Sequence, residues 1–338
     1  MGRYERQFRV FGDEGQARIC GSCIGLVGCG GLGTNVATAL AVAGVHHFVI
    51  MDPDRPEISN LNRQYAYCAE VRGGDPRPKA LVLSEWIHSI DPEIDVQAHV
   101  GRFSKDTEDM FAGCDVLVDC LDSIGGRMDL NRYAVESGKP LVHGGIDGFS
   151  GELAVCIPGR TPCLRCMMGD IPEQKRTPAS IGAVVSTVGS MEAAEVLKLI
   201  TGRMGTAGSF LSMDLETWRF QRINFERDPD CPVCGSRRSG VEVLAEVAVA
   251  SVGEDRDDVP LPDFLGEDPH GGHGRPRGFS GEYAFFGGEP AALVECFLVG
   301  DLDDLVDEAH VHGLGDEVVA YPLYRVLALL SSAHGGSD

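Results

Sequence analysis

The chain has 338 residues, length for about two domains, and its 43% hydrophobic and 24% charged residues are ordinary for a globular protein. Its 29 basic residues face 51 acidic ones, a formal net charge of −22, which disfavours non-specific binding to nucleic acid or to anionic membranes. No apolar run is long enough to cross a bilayer, and Met1–Gln7 holds no apolar core of a secretory signal, so the expected location is the cytoplasm.

The elements predicted in chain order alternate. Residues 23–28 read as a short buried strand. The glycine run Gly28-Cys29-Gly30-Gly31-Leu32-Gly33 comes next, then a helix through Val42 and a strand from His47 to Asp52. Pro78–Ile90 is a predicted helix and Val96–Val100 a strand. Asp115–Cys120 is a buried strand, Asp129–Ser137 a helix and Pro140–Gly145 a strand. Strands alternating with helices imply an α/β fold with a doubly wound, mostly parallel sheet. Beyond residue 150 the pattern changes. Glu152–Ile157 and Phe210–Phe225 read as extended, antiparallel segments, with a long apolar helix at Ile181–Thr201 between them.

The acidity is uneven. Residues 241–338 hold 20 acids against four arginines and no lysine, so they are expected to form a separate module after a domain at 1–240. The stretch 252–281 is rich in Asp, Gly and Pro and reads as a linker, and residues 291–330 as a small α/β piece. His270 and His273 lie in that linker, and their expected role is loop rather than metal ligand.

The glycine pattern alone fits any nucleotide-binding sheet. The glycines allow a tight turn, the helix N-terminus offers free N–H groups to phosphate, and Asp52 can accept bonds from ribose hydroxyls. The residues downstream are more specific. Asp52-Pro53-Asp54 leads into Ser59-Asn60-Leu61-Asn62-Arg63-Gln64. Then come Pro78-Lys79 and Asp119-Cys120-Leu121-Asp122. Cations beside a phosphate site and an acid able to hold Mg²⁺ suit a nucleoside triphosphate better than a nicotinamide.

These strings, with Arg3-Tyr4-Glu5-Arg6-Gln7 before them and Glu192–Gly202 after, resemble the ThiF/MoeB/HesA family, the bacterial and archaeal relatives of ubiquitin-activating enzymes. The resemblance runs in family order from residue 3 to about 235. It implies a Rossmann-like sheet and a cytoplasmic, homodimeric adenylyltransferase. The implied substrates are ATP·Mg²⁺ and the C-terminal Gly-Gly carboxylate of a ubiquitin-like sulfur-carrier protein. Pyrophosphate would leave, and a separate donor would supply sulfur for molybdopterin or thiamine biosynthesis or tRNA thiolation. By resemblance, Gly28, Gly30, Gly31 and Gly33 cradle the nucleotide, with Asp52 on the ribose and Asp54 beside it. Asn60, Arg63 and Gln64 meet the phosphates, Lys79 sits at the α-phosphate and Asp122 holds Mg²⁺. Arg6 resembles the arginine that reaches into the neighbouring subunit's site.

Twelve cysteines in a cytoplasmic chain suggest metal ligands. Cys163-x-x-Cys166 and Cys231-x-x-Cys234 can supply four thiolates to a structural Zn²⁺, and Cys231-Pro-Val-Cys-Gly has the form of a zinc knuckle. Cys20 and Cys23 share the spacing but are expected to pack in the core, as are Cys29, Cys114, Cys120 and Cys156. No cysteine lies between Cys166 and Cys231, where some family members carry an acyl-accepting thiol, so the reaction is expected to stop at the acyl-adenylate. Cys68 is the one substitute nucleophile near the motifs. Cys296, alone in the C-terminal third, gives no basis for a rhodanese domain, and Gly335-Gly336 reads as a frayed end. The competing readings are adenylation of a small-molecule carboxylate or a modified tRNA base, a non-catalytic nucleotide-binding scaffold, and a nicotinamide-dependent dehydrogenase.

Overall fold

The computed structural model describes residues 2–171 and 178–236. The expectations placed on His270, His273, Cys296, the linker and the C-terminal module lie outside the described residues, as does Lys175–Thr177.

The chain opens with α1 (Glu5–Gly21), bent where Gly12 adopts a φ of 68°. β1 (Cys23–Val27), α2 (Gly31–Ala43) and β2 (His47–Met51) come after it, then α3 (Cys68–Arg72), α4 (Lys79–Ile90), β3 (Asp95–His99) and β4 (Val116–Asp119). Next come α5 (Ile124–Ser137), β5 (Leu141–Asp147), β6 (Ser150–Cys156), α6 (Leu164–Met168), α7 (Gly182–Ile200), β7 (Ser209–Asp214) and β8 (Arg219–Asn224). The strands form one eight-stranded sheet in the order β3-β2-β1-β4-β5-β6-β7-β8. Pairings from β3 to β5 are parallel. Those from β5 to β8 are antiparallel.

β1, β2, β4 and most of β5 bury both faces, so they read as continuous apolar runs, whereas the edge strands β3 and β8 are half-buried or exposed. Alternate residues divide between two cores. Ile24, Leu26, Phe48, Ile50, Val116 and Val118 pack with α2, α4 and α7 on one face. Val27, Val49, Leu117 and Leu141 pack with α5 and α6 on the other. Four helices differ from the sequence reading, and two of them, the short α3 and α6, have no counterpart among the predicted elements. α5 begins at Ile124, ahead of the expected Asp129, because Ser123 in an extended conformation starts the helix before the weak helix formers Gly125 and Gly126. α1 also has no counterpart there. Its Gly12, Gly15 and mixed charges obscure the helical period, and docking holds it. Gln7 donates to Ala43 O at 2.7 Å and Arg3 to Ile90 O at 2.8 Å, at the C-terminal ends of α2 and α4.

The order of strands reverses at β1, whose neighbours are β2 and β4. Crossover helices leave a crevice at such a point, beyond the carboxyl ends of the strands. The site lies there. Among the described residues no helix is long and apolar enough to cross a membrane.

Candidate active site

A cavity of about 1470 Å³ opens beyond the carboxyl ends of β1, β2 and β4 and continues over the antiparallel strands. Its walls bring together Gly28, Gly30, Gly31, Asp52, Asp54, Asn60, Arg63, Gln64, Lys79 and Asp122. Gly33 lies behind this wall, and Arg6 is not part of it.

The turn from β1 into α2 depends on glycine. Gly28 has a φ of 99°, and a Cβ there would stand 2.5 Å from Cys120 O. A Cβ on Gly33 would stand 2.0 Å from Gly28 O, so this contact needs glycine to let the helix pack on the strand. Gly30 precedes α2 and provides no side-chain cap, leaving the first amides of the helix to face the cavity. Tyr67 fixes the loop from behind: its buried hydroxyl donates to Cys29 O at 2.5 Å. Sequence reasoning missed Tyr67, which carries no motif of its own.

Asp52 follows β2 and is buried. Its Oδ2 accepts from Cys29 N–H and its Oδ1 from Asp54 N–H, both at 2.7 Å. Burial pushes its pKa up, and the Lys79 charge and these amides oppose the rise. Lys79 is the first residue of α4, nearly buried, with Nζ 3.4 Å from Asp54 Oδ2. Gln64 is buried beside Gly30, and its Oε1 has no partner among the described residues. Arg63 is held by Ser59 O at 3.2 Å and Asn62 Oδ1 at 2.8 Å, with its aliphatic stem beside Gly31. Asn60 Oδ1 accepts from Glu57 N–H and so shapes the loop that carries Arg63.

Asp122 is exposed to the cavity, and its carboxylate makes no hydrogen bond among the described residues. A free carboxylate at the end of β4, facing a basic cradle, has the hard-oxygen chemistry that fits Mg²⁺.

Beneath Asp122 lies a group of buried charges that the sequence did not reveal. Asp119 Oδ2 is 2.8 Å from His143 Nδ1, and His143 Nε2 is 3.3 Å from Glu152 Oε1. Arg127 Nε lies 3.2 Å from Asp119 Oδ2, and its Nη1 lies 3.4 Å from Glu152 Oε1. Burial pushes the Asp119 carboxyl up, but Arg127 and His143 outweigh it and its pKa is lowered. Glu152 is lowered in the same way, by His143 and then Arg127. Glu192 of α7 differs. It is fully buried, with Oε1 3.9 Å from Cys120 Sγ and Oε2 unpartnered among the described residues. Burial, and then the Asp119 charge, raise its pKa well above the usual carboxylate range.

Cys163, Cys166, Cys231 and Cys234 converge, with all four Sγ atoms within 4.8 Å of one another. Three of their contacts measure 3.8, 4.0 and 3.4 Å. A tetrahedron of thiolates about 2.3 Å from zinc has edges of about 3.8 Å, so the cluster fits this ion. Val233 N–H points at Cys231 Sγ at 3.5 Å, a knuckle contact that favours a thiolate. The cluster joins α6, whose Met167 and Met168 line the cavity, to the segment after β8. Cys20 and Cys23 do not converge. Cys20 Sγ accepts from Gln16, and Cys23 Sγ meets Cys114 Sγ at 3.8 Å. Cys29, Cys114, Cys120 and Cys156 are buried. Cys68, at the start of α3, is not among the residues that line the cavity.

Arg6 is exposed near the start of α1. Its neighbours Arg3 and Gln7 anchor that helix at the C-terminal ends of α2 and α4. Those ends face the amino edge of the parallel strands, opposite the cavity. Arg6 is therefore remote from the site of its own chain.

The profile of the ThiF family matches residues 4–233. The SAMP-activating enzyme E1 of Haloferax volcanii is 34% identical over 73% of this chain and 93% of its own length. The sulfur carrier protein adenylyltransferase of Thermus thermophilus is 35% identical over 72% of this chain and 94% of its own. A crystal structure of Escherichia coli MccB with ATP superposes with a TM-score of 0.61 at 22% identity, over 69% of this chain and 74% of that one, which supports the fold. The chain belongs to the ThiF family.

Proposed function

We propose that this chain uses ATP to adenylate the C-terminal Gly-Gly carboxylate of a ubiquitin-like sulfur-carrier protein. The observation that carries the reading is the single cavity. At one end it has a glycine-cradled helix N-terminus, Lys79, Arg63 and the unpaired carboxylate of Asp122. It continues past Ser150, Ser212 and Phe225 over the antiparallel strands, leaving room for an extended peptide tail. The relatives' names supply the acceptor class.

In this reading Asp52 accepts bonds from the ribose hydroxyls, through lone pairs that its two amide contacts leave open. The α2 N-terminus, Asn60, Arg63 and Gln64 hold the phosphates; the unpartnered Gln64 Oε1 points to a ligand or water on that side chain. The carrier carboxylate attacks the α-phosphorus. A carboxyl O–Pα bond forms, the Pα–O bond to the β-phosphate breaks, and pyrophosphate leaves with the electron pair. Lys79 neutralises the charge that grows at the α-phosphate. Asp122 would hold Mg²⁺, which when bound neutralises the phosphates of the leaving group. Arg6 reaches the site of a second copy, and the protein is a homodimer. Zn²⁺ on Cys163, Cys166, Cys231 and Cys234 is structural. Residues 1–240 are the adenylyltransferase domain, and residues 241–338 a separate acidic module.

ATP–pyrophosphate exchange with candidate Gly-Gly carriers tests the reading. Carrier-dependent exchange that disappears in Asp122→Ala is expected. Exchange driven by a small carboxylate without any carrier would replace the acceptor, and nucleotide binding with no exchange would leave a scaffold.

A further inference from the structure

Asp122 makes no hydrogen bond of its own among the described residues, yet its direction must be fixed if it is to present a carboxylate to a cation. The preceding residue is held on both sides. Leu121 N–H donates to Asp119 Oδ1 at 3.1 Å, and Leu121 O accepts from Arg127 Nη2 at 2.9 Å. Both holding groups belong to the buried charge cluster, and His143 stands at its centre. It is opposite Asp119 in the parallel register of β4 and β5, and fully buried.

We propose that His143 is a positioning residue: by clamping Asp119 and Glu152, it fixes Leu121 and so aims Asp122 at the Mg²⁺ of the bound nucleotide. The proposal rests on the nucleotide-binding reading of the cavity, but not on the identity of the acceptor. The two ring nitrogens of His143 stand 2.8 Å from Asp119 Oδ2 and 3.3 Å from Glu152 Oε1, so one imidazole contacts both carboxyl groups. Loss of the Nδ1 contact leaves Asp119 buried with Arg127 as its remaining charged partner and free to turn away from Leu121 N–H. Loss of the Nε2 contact loosens Glu152, the acceptor that braces Arg127 Nη1. Glu192, the remaining acid near the cluster, meets Cys120 Sγ rather than His143.

The two branches can be separated in the full-length protein. His143→Asn retains a donor near the Nδ1 position and keeps Asp119. His143→Gln places its donor nearer the Nε2 position and keeps Glu152. The readout is binding of a non-hydrolysable ATP analogue across a Mg²⁺ titration, with Tm measured alongside. In His143→Gln the half-saturating Mg²⁺ concentration is expected to rise about tenfold or more. In His143→Asn, which gives up only the Glu152 contact, it rises less, by about threefold. Analogue affinity without Mg²⁺ is unchanged in both. Should His143→Gln fail to fold, Glu152→Gln keeps the side-chain size and the Asp119 contact, and an intermediate rise is expected.

Folded His143→Gln or Glu152→Gln protein with wild-type Mg²⁺ dependence would overturn the proposal. So would His143→Asn as impaired as His143→Gln. Wild-type protein that binds the analogue with no Mg²⁺ dependence would overturn both this proposal and the role of Asp122. Mg²⁺-dependent binding without exchange on any carrier would contradict only the acceptor reading.

Discussion

The two halves of the sheet contribute to the site in different ways. In the parallel half, β1, β2 and β4 all end at the same edge. The chain therefore delivers its polar groups as contiguous strings just past each strand: Gly28–Gly33, Asp52–Asp54 and Cys120–Asp122. In the antiparallel half the strands reverse direction, and the contributions are single residues drawn from distant parts of the chain. His143 comes from β5, the strand at which parallel pairing gives way to antiparallel, and Glu152 from β6, while Cys163 and Cys231 meet from either side of α7 and β8. In the proposed reading the parallel half supplies groups that touch a nucleotide, and the antiparallel half holds them in place. Mutations in the first should therefore remove activity from a stable protein, whereas mutations in the second should act through stability or through metal dependence.

The largest expected effect is in the parallel half. Lys79→Ala and Asp122→Ala should each lower carrier-dependent exchange by about 100-fold or more, with Tm nearly unchanged, because each removes charge stabilisation at the reacting phosphates. A large fall in Tm would show that these residues are structural and would break the contrast. The knuckle should behave in the opposite way. Cys231→Ser should lose bound zinc and lower Tm by more than about 5 °C. The combined Cys20→Ser and Cys23→Ser substitutions should keep both zinc and Tm near wild type, since these thiols only pack. Zinc lost on removal of Cys20 and Cys23 would place the metal elsewhere.

Arg6 gives a cleaner complementation. Mixing inactive Arg6→Ala with inactive Lys79→Ala should restore about a quarter of wild-type exchange, because each mixed dimer then has one complete site. No recovery after subunit exchange would remove Arg6 from the partner's site.

The smallest effect concerns Glu192. Its folded pKa is raised above the unfolded value, so stability falls as pH rises from the usual carboxylate range through the raised pKa. Glu192→Gln has no such loss. Its advantage in urea unfolding should reach about 1–3 kcal/mol at pH 8 and shrink towards pH 4. An advantage that does not depend on pH would contradict the raised pKa.

This division also explains what the sequence revealed. Cys163-x-x-Cys166 and Cys231-x-x-Cys234 were legible because thiolate pairs at that spacing have a chemical reason to converge. Cys20-x-x-Cys23 shows that spacing alone is insufficient: its cysteines fall at the end of a helix and the start of a strand, and the thiols find different neighbours. Lys79 and Asp122 were legible as polar residues at strand and helix ends. The cluster of Asp119, Arg127, His143 and Glu152 was not. Each lies within an ordinary strand or helix, and only the strand order brings them together. Tyr67 was hidden for the same reason, since its partner is a backbone carbonyl 38 residues away.

The most direct test of the central claim is to trap the product. The protein would be incubated with α-labelled ATP, Mg²⁺ and a Gly-Gly carrier, with pyrophosphate removed, and the carrier assayed by intact mass and label. The account predicts one AMP on the carrier's C-terminal carboxylate, absent with Lys79→Ala and with a carrier lacking its final glycine. AMP found instead on a small carboxylate, or no labelled product despite nucleotide binding, would contradict it.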